Sequence, residues 1–266
     1  MDDSKAILNK IPALTLLFWI MKITATTLGE TGGDLLAQTL KVGYATSTLI
    51  FFAFFLVMVT CQLTAKRYIP PIYWAVIVAT STAGTTMSDY MDRTLGLGYA
   101  LGSLILISIL IIILIIWRLT EKSLSVTNIR SRRGEIFYWT AILFSNTLGT
   151  ALGDFLADDS GLGFGGSALL ITGVLVLVVL AYFFTKISRV ILFWIAFVLT
   201  RPFGATFGDL LTKSHEQGGL GYGTMGSSLI LLGLLVILII VESAALKRGV
   251  AEDGKRGYKK LKTATE

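Results

Sequence analysis

The sequence has almost none of the residues on which soluble metal centres and secreted scaffolds depend. It holds one cysteine, Cys61, in 266 residues, which excludes an internal disulfide framework and a thiolate metal cluster. It holds one histidine, His215, so no imidazole cluster can be assembled within the chain. No glycine loop of the phosphate-cradling kind is present, so nucleotide would have to be handled by a partner. Charged residues make up 15% of the chain, against about 25% in ordinary soluble domains. In place of these, 54% of the residues are hydrophobic and the mean hydropathy is +0.74. That richness excludes a disordered chain and points to an integral membrane protein whose outer surface meets lipid. The net charge of +6 falls mostly between apolar segments, where it reads as a topology signal rather than a nucleic-acid surface.

Segments long enough to span a bilayer fall near residues 14–37, 43–64, 71–91, 97–118, 136–157, 164–185, 190–211 and 222–243. The even-numbered segments are almost continuously apolar. The odd-numbered ones carry Gly, Thr and Asp toward their C-terminal ends, so a hydropathy count is prone to miss some of them. The first segment lacks the pattern of a removable signal peptide, and its own pattern recurs three times. Eight spans place both termini on one side. That side carries 18 of the 23 Lys and Arg residues and the other only three, Lys41, Arg93 and Lys213. The bias assigns both termini to the cytoplasm of a cell (inner) membrane protein. The basic tail is expected to anchor topology and to touch anionic lipid.

A fourfold internal repeat is the strongest signal in the chain. Asp34, Asp89, Asp154 and Asp209 are spaced by 55, 65 and 55 residues. Fifteen residues before them stand Trp19, Trp74, Trp139 and Trp194; five before stand Gly29, Gly84, Gly149 and Gly204. Gly33, Ser88, Gly153 and Gly208 immediately precede them. Gly43-Tyr44, Gly98-Tyr99, Gly163-Phe164 and Gly221-Tyr222 follow, and then Ser47, Ser103, Ser167 and Ser227. The expected fold is an all-α membrane protein of about eight transmembrane helices, as four parallel two-helix hairpin repeats grouped two plus two. The divisions are a cytoplasmic N-terminus (1–13), repeats at 14–64 and 71–118, a cytoplasmic linker (119–135), repeats at 136–185 and 190–243, and a basic cytoplasmic tail (244–266).

This fourfold Trp…Gly-x-x-x-[Gly/Ser]-Asp…Gly-[Tyr/Phe] pattern resembles a bacterial family of integral membrane proteins built from a repeat of unknown function, often labelled "uncharacterized membrane-anchored protein". The resemblance covers about residues 14–243. It implies the architecture and carries no catalytic or binding residue with it.

The repeated residues themselves carry the functional reading. Each tryptophan is expected at the cytoplasmic membrane interface, which puts each aspartate roughly 22 Å further along its helix, in the outer third of the bilayer. A carboxylate there needs a bundle interior or a wet cavity. One helical stripe joins the aspartates to Glu30, Thr26, Thr31, Ser81, Thr85, Thr86, Asn146, Thr150, Arg201 and Thr206. Converging stripes would line a central cavity with carboxylates and hydroxyls, the ligand set of hard cations. The candidate metal ligands are Asp34, Asp89, Asp154, Asp209 and Glu30, with the other residues supporting or gating. The alternative is structural: each aspartate caps the next short helix or binds loop amides.

Arg201 lies within a span and needs a partner, for which Glu30 is the first choice, either as a gate or as a fixed pair. Pro202 is expected to kink its helix. Lys22 is expected to snorkel to the interface. The small-xxx-small pairs read as close helix packing. Asp92, Asp158, Asp159, His215 and Glu216 read as solvated outer loops. The expected function is transport or export of an inorganic cation, most plausibly divalent and manganese-like. A passive channel or small-solute carrier and a structural or assembly protein remain alternatives. No enzyme activity is expected, because four equivalent acids do not make an asymmetric dyad. No resident cofactor is expected beyond a possible bound divalent cation. The expected partners are the lipid bilayer and the cation, not nucleic acid.

Overall fold

A polypeptide in lipid must satisfy its backbone hydrogen bonds internally, and continuous helices do so. The computed structural model describes residues 10–126, 129 and 131–264, with side chains to Arg248. Among them are eight helices: α1 (Leu16–Asp34), α2 (Tyr44–Thr64), α3 (Pro70–Asp89), α4 (Tyr99–Glu121), α5 (Arg132–Asp154), α6 (Gly163–Phe184), α7 (Arg189–Thr212) and α8 (Thr224–Ala264). Lys5 of the N-terminal segment, Arg130 of the linker and the basic side chains beyond Arg248 lie outside the described residues.

Local sequence explains the ends. Thr15 Oγ1 accepts from the Phe18 amide and Ser131 Oγ from the Gly134 amide, each filling an orphan donor of the first turn. Pro70 opens α3, where its missing N–H costs nothing. Beyond Asp34, Asp89 and Asp154 the chain widens into a π-helical turn, Leu35–Thr39, Tyr90–Thr94 and Phe155–Asp159. The glycine of each Gly-aromatic pair then has a φ of +66° to +83°, with open space around it in the first three units and the His215 ring 3.5 Å from an added Cβ at Gly221. Only glycine takes that conformation without strain, so this repeated residue is a turn requirement. The fourth unit has a longer connection and replaces the π turn with a 3₁₀ turn, His215–Gln217.

The odd helices form a closed ring. α1 packs on α3, α3 on α5, α5 on α7, and α7 back on α1. The even helices lie outside, each against the odd helix of the following unit: α2 on α3, α4 on α5, α6 on α7, and α8 on α1. The two helices of a unit are therefore not a packed hairpin, as the sequence led us to expect. Each unit instead reaches over its neighbour. The two-plus-two grouping is a matter of connection length, while the helix packing is cyclic. Pro202 is accommodated within a continuous α7.

The outer helices expose rows of Leu, Ile, Val and Phe. α2, α4, α6, α7 and residues 224–248 of α8 are each long and apolar enough to cross a membrane. α1, α3 and α5 are not among them, because their polar residues are spent on the interior of the ring. Multi-pass association with a bilayer follows from this apolar girdle.

Three of the four repeated tryptophans are turned away from the lipid-facing surface, while Trp19 is half-buried. Trp74, Trp139 and Trp194 are buried, and with Phe18, Tyr73, Tyr138 and Phe193 they fill one end of the ring with edge-on and tilted aromatic contacts. Tyr73 and Tyr138 also share a hydroxyl–hydroxyl hydrogen bond of 2.7 Å. The ring end is narrow enough that indoles pointed inward complete a core. Glu242 of α8 ties this layer down, accepting from Trp74 Nε1 and from the Tyr68 hydroxyl, each at 2.9 Å. Trp74→Phe removes one bond to a charged acceptor. It is expected to lower stability by about 1.5–3 kcal/mol in a detergent unfolding titration.

Candidate axial site

The ring interfaces are built by one repeated contact. The glycine five residues before each aspartate lies against the residue eight before the next aspartate. Gly29 meets Ser81, Gly84 meets Asn146, Gly149 meets Arg201, and Gly204 meets Thr26. A Cβ on Gly29 or Gly149 would overlap the facing side chain. The residue just before the aspartate repeats the pattern one turn on: Gly33 meets Thr85, Gly153 meets Ala205, and Gly208 meets Glu30. The small residues thus let neighbouring helices approach closely. They also bring the polar residues four and eight before each aspartate to the ring interior.

Three polar levels result. Nearest the aromatic layer, Lys22 is fully buried, its Nζ 3.5 Å from Asn146 Oδ1 and 4.0 Å from the Phe197 ring centroid. It does not snorkel, because the aromatic layer closes the route to the nearer membrane face. Asn146 Nδ2 in turn donates to Thr80 Oγ1 at 2.9 Å and Ser81 Oγ at 3.3 Å.

At the middle level, Arg201 is 0% exposed, and both terminal nitrogens lie 3.0 Å from Glu30 Oε2. Arg201 Nη2 also donates to Thr85 Oγ1 and to Thr150 Oγ1, and lies 3.4 Å from the Ser81 carbonyl. Helices α1, α3, α5 and α7 therefore all meet at one guanidinium. Thr26 lies at the α1–α7 interface, donating to backbone carbonyls that include Thr200 O.

At the far level lie the four aspartates. Arg93 bridges Asp89 (2.9 Å) and Asp154 (3.2 Å), while Lys213 bridges Asp209 (3.2 Å) and Asp34 (2.7 Å). Gln38 Nε2 donates to Asp34 Oδ1 at 2.5 Å. Burial disfavours the Lys213 ammonium, but Asp209 and Asp34 outweigh it and hold its pKa above the ordinary lysine value. None of Asp34, Asp89 and Asp154 caps the turn that follows it. Their carboxylates face bases instead.

Three of the supporting residues make none of the described bonds to the axial charges. Thr86 and Thr206 bond back to carbonyls of their own helices, and Thr31 bonds to Ser228 of α8. A residue three before the aspartate is turned about 100° from one four before, which is enough to leave the ring interior. The mouth of bare carboxylates is corrected, for the aspartates are paired. Arg93 and Lys213 were overlooked as outer-loop bases, although each stands four residues after an aspartate, one helical turn away. Asp158, Asp159, His215 and Glu216 are exposed as expected, but Asp92 is buried. It accepts from Ser88 Oγ at 3.2 Å, under a helix that approaches at Gly102.

Of the five candidate ligands, Glu30, Asp34 and Asp209 each offer an oxygen within 4.8 Å of the others. Asp89 and Asp154 stand apart on Arg93. The oxygens suit a hard cation, which would enter by displacing Lys213 and loosening Arg201. Charge neutrality along the axis is nearly complete: the acids are these five, and the bases are Lys22, Arg93, Arg201 and Lys213.

No curated protein and no solved structure matches the chain. The family model "Repeat of Unknown Function (DUF347)" matches residues 17–68, 72–123, 137–188 and 192–246. Each match takes in one odd helix, its aspartate and the following even helix, so the chain belongs to the DUF347 repeat family.

Proposed function

We propose that the protein is a membrane transporter or exporter whose substrate, an inorganic cation and most plausibly a divalent one such as Mn²⁺, moves along the axis of the odd-helix ring. One observation carries this reading: five carboxylates and four bases are drawn to the inside of a ring that could have been apolar. Ionisable groups at membrane depth are costly and usually mark ion or proton paths. Three of the four bases, Arg93, Arg201 and Lys213, pair with carboxylates, while Lys22 rests on Asn146 and the Phe197 ring. An incoming cation can exchange for Lys213 at Asp34 and Asp209, the displaced ammonium, already 18% exposed, turning out to solvent.

The Arg201–Glu30 pair and the aromatic layer block a continuous channel in this conformation, which favours a carrier over a passive pore. The expected orientation has both termini in the cytoplasm, with the aspartate level facing out. No enzymatic role is proposed. A structural or assembly role is the second reading, favoured by the fact that each axial carboxylate already has a basic partner.

Mn²⁺ flux into proteoliposomes tests the proposal. Combining Asp34→Asn, Asp89→Asn, Asp154→Asn and Asp209→Asn is expected to abolish flux. A folded quadruple variant with the wild-type rate would reject the cation path, and steady single-channel currents would assign a pore instead. Lys213→Met alone is expected to slow flux about tenfold or more, since it removes the displaceable counter-ion and leaves two buried acids sharing one site.

A further inference from the structure

At the end of the bundle that carries residue 10, a cavity of about 260 Å³ opens between α2, α5 and the segment before α1. Its lining includes Lys10, Gln62, Lys66, Arg132, Glu135 and Trp139. Three buried polar atoms of this lining have no hydrogen-bond partner: Gln62 Oε1, Glu135 Oε1 and Trp139 Nε1. The residues that carry them are 1%, 7% and 2% exposed. Buried polar atoms are seldom left unpaired, and each costs about 1–3 kcal/mol when it is. Three on the lining of one cavity call for a partner that the chain itself does not supply.

The internal repeat shows what is missing. Gln62 stands fifteen residues after Ser47 in α2, as Glu242 stands fifteen after Ser227 in α8. Trp139 is likewise the counterpart of Trp74. In one unit interface Glu242 closes directly on Trp74 Nε1 at 2.9 Å. In the next, the equivalent acceptor and donor stay unbonded, on two residues that line a common cavity. The other groups there are already engaged: Gln62 Nε2 donates to Lys10 O at 3.2 Å, and Lys10 Nζ pairs with Glu135 Oε2 at 2.9 Å.

The open valences define the ligand. Two acceptors, one of them a carboxylate oxygen, call for a group with several N–H donors. One indole N–H, with exposed Lys66 and Arg132 at the rim, calls for an anionic acceptor. We infer that this cavity binds a compact zwitterion, a primary ammonium joined through a short link to an anionic group. The ammonium donates to Gln62 Oε1 and Glu135 Oε1, and the anion takes Trp139 Nε1 and the rim bases. Two sources offer that chemistry: a free solute such as an amino acid or phosphoethanolamine, and the ethanolamine phosphate headgroup of a membrane lipid. The site is separate from the axial charges, and its existence does not depend on transport.

The test uses the full chain in detergent. Thermal melting and native mass spectrometry are run with phosphatidylethanolamine, phosphatidylcholine and phosphatidylglycerol, and calorimetry with O-phosphoethanolamine and glycine. Binding of phosphatidylethanolamine in preference to the other lipids, without binding of the solutes, supports the lipid source; binding of either solute supports the free source. Trp139→Phe and Gln62→Met are each expected to weaken that binding about tenfold or more. Without ligand, Trp139→Phe is expected to lower the melting temperature less than Trp74→Phe, since both lose indole volume from the aromatic layer but only Trp74 also loses a hydrogen bond. Trp74→Phe is expected to lower the melting temperature and leave binding intact. No preference among the lipids together with no solute binding, or wild-type affinity in both Trp139→Phe and Gln62→Met, overturns the proposal and leaves the cavity to water. Should Trp139→Phe fail to fold, the lipid and solute preferences of the wild-type chain and of Gln62→Met still decide.

Discussion

Glu30→Gln is expected to destabilise the protein by about 3–5 kcal/mol, the largest single-residue effect in the molecule. The amide is isosteric with the carboxylate, so no cavity is made. What is lost is the only carboxylate among the described residues within bonding distance of a fully buried guanidinium. Thr85, Thr150 and the Ser81 carbonyl remain around Arg201, but they supply dipoles and not charge. Arg201→Met is expected to be costly for the mirror reason, stranding Glu30 among threonines. Combining Glu30→Gln with Arg201→Met is expected to recover most of the loss, because a buried ion pair replaced on both sides is often near neutral. Unfolding in mixed detergent micelles measures all three. Additive losses in the double variant would show that the two residues do not act as a pair.

Gly149→Ala is expected to cost about 1–3 kcal/mol. Its new methyl would overlap the Arg201 side chain near its root and press on Pro202 Cδ at 3.0 Å. Neither neighbour yields easily: Pro202 is a ring, and Arg201 is held at its far end by Glu30. Gly173 and Gly226 lie on the outer helices with nothing within 4 Å of an added Cβ. Alanine there is expected to be neutral or slightly stabilising, as in any exposed helix interior. The contrast separates ring packing from a general intolerance of glycine substitution.

The sequence revealed the repeat and its period because four copies of Trp, Gly, Asp and Gly-aromatic stand at fixed offsets. The pairing of Arg201 with Glu30 was legible for a related reason: both break the repeat, and they sit one turn apart in register. Which helix touches which was not legible. Offsets within a unit say nothing about whether α2 folds back on α1 or reaches over α3, and the structure shows the latter. Reading Arg93 and Lys213 as loop charges failed for a physical reason. Helical backbone runs on past the aspartate, through a π turn after Asp89 and to Thr212 within α7 after Asp209, so the residue four on is only one turn away. The burial of Trp74, Trp139 and Trp194 was not legible, because tryptophan suits a lipid interface and a packed aromatic layer equally well. Gln62 and Trp139 were invisible as a site, since only the missing bond between them distinguishes them from Glu242 and Trp74.

The central claim is that four units close into one ring, with the last unit returning to the first. Thr39 and Thr224 join those two units at the exposed aspartate end, hydroxyl to hydroxyl, at 2.7 Å. In a Cys61→Ala background, Thr39→Cys combined with Thr224→Cys should form a disulfide within one chain on mild oxidation. Peptide mapping would detect it in a band that still migrates as a monomer. A pair that stays reduced, or that links only separate chains, would contradict the closed ring and with it the charged axis.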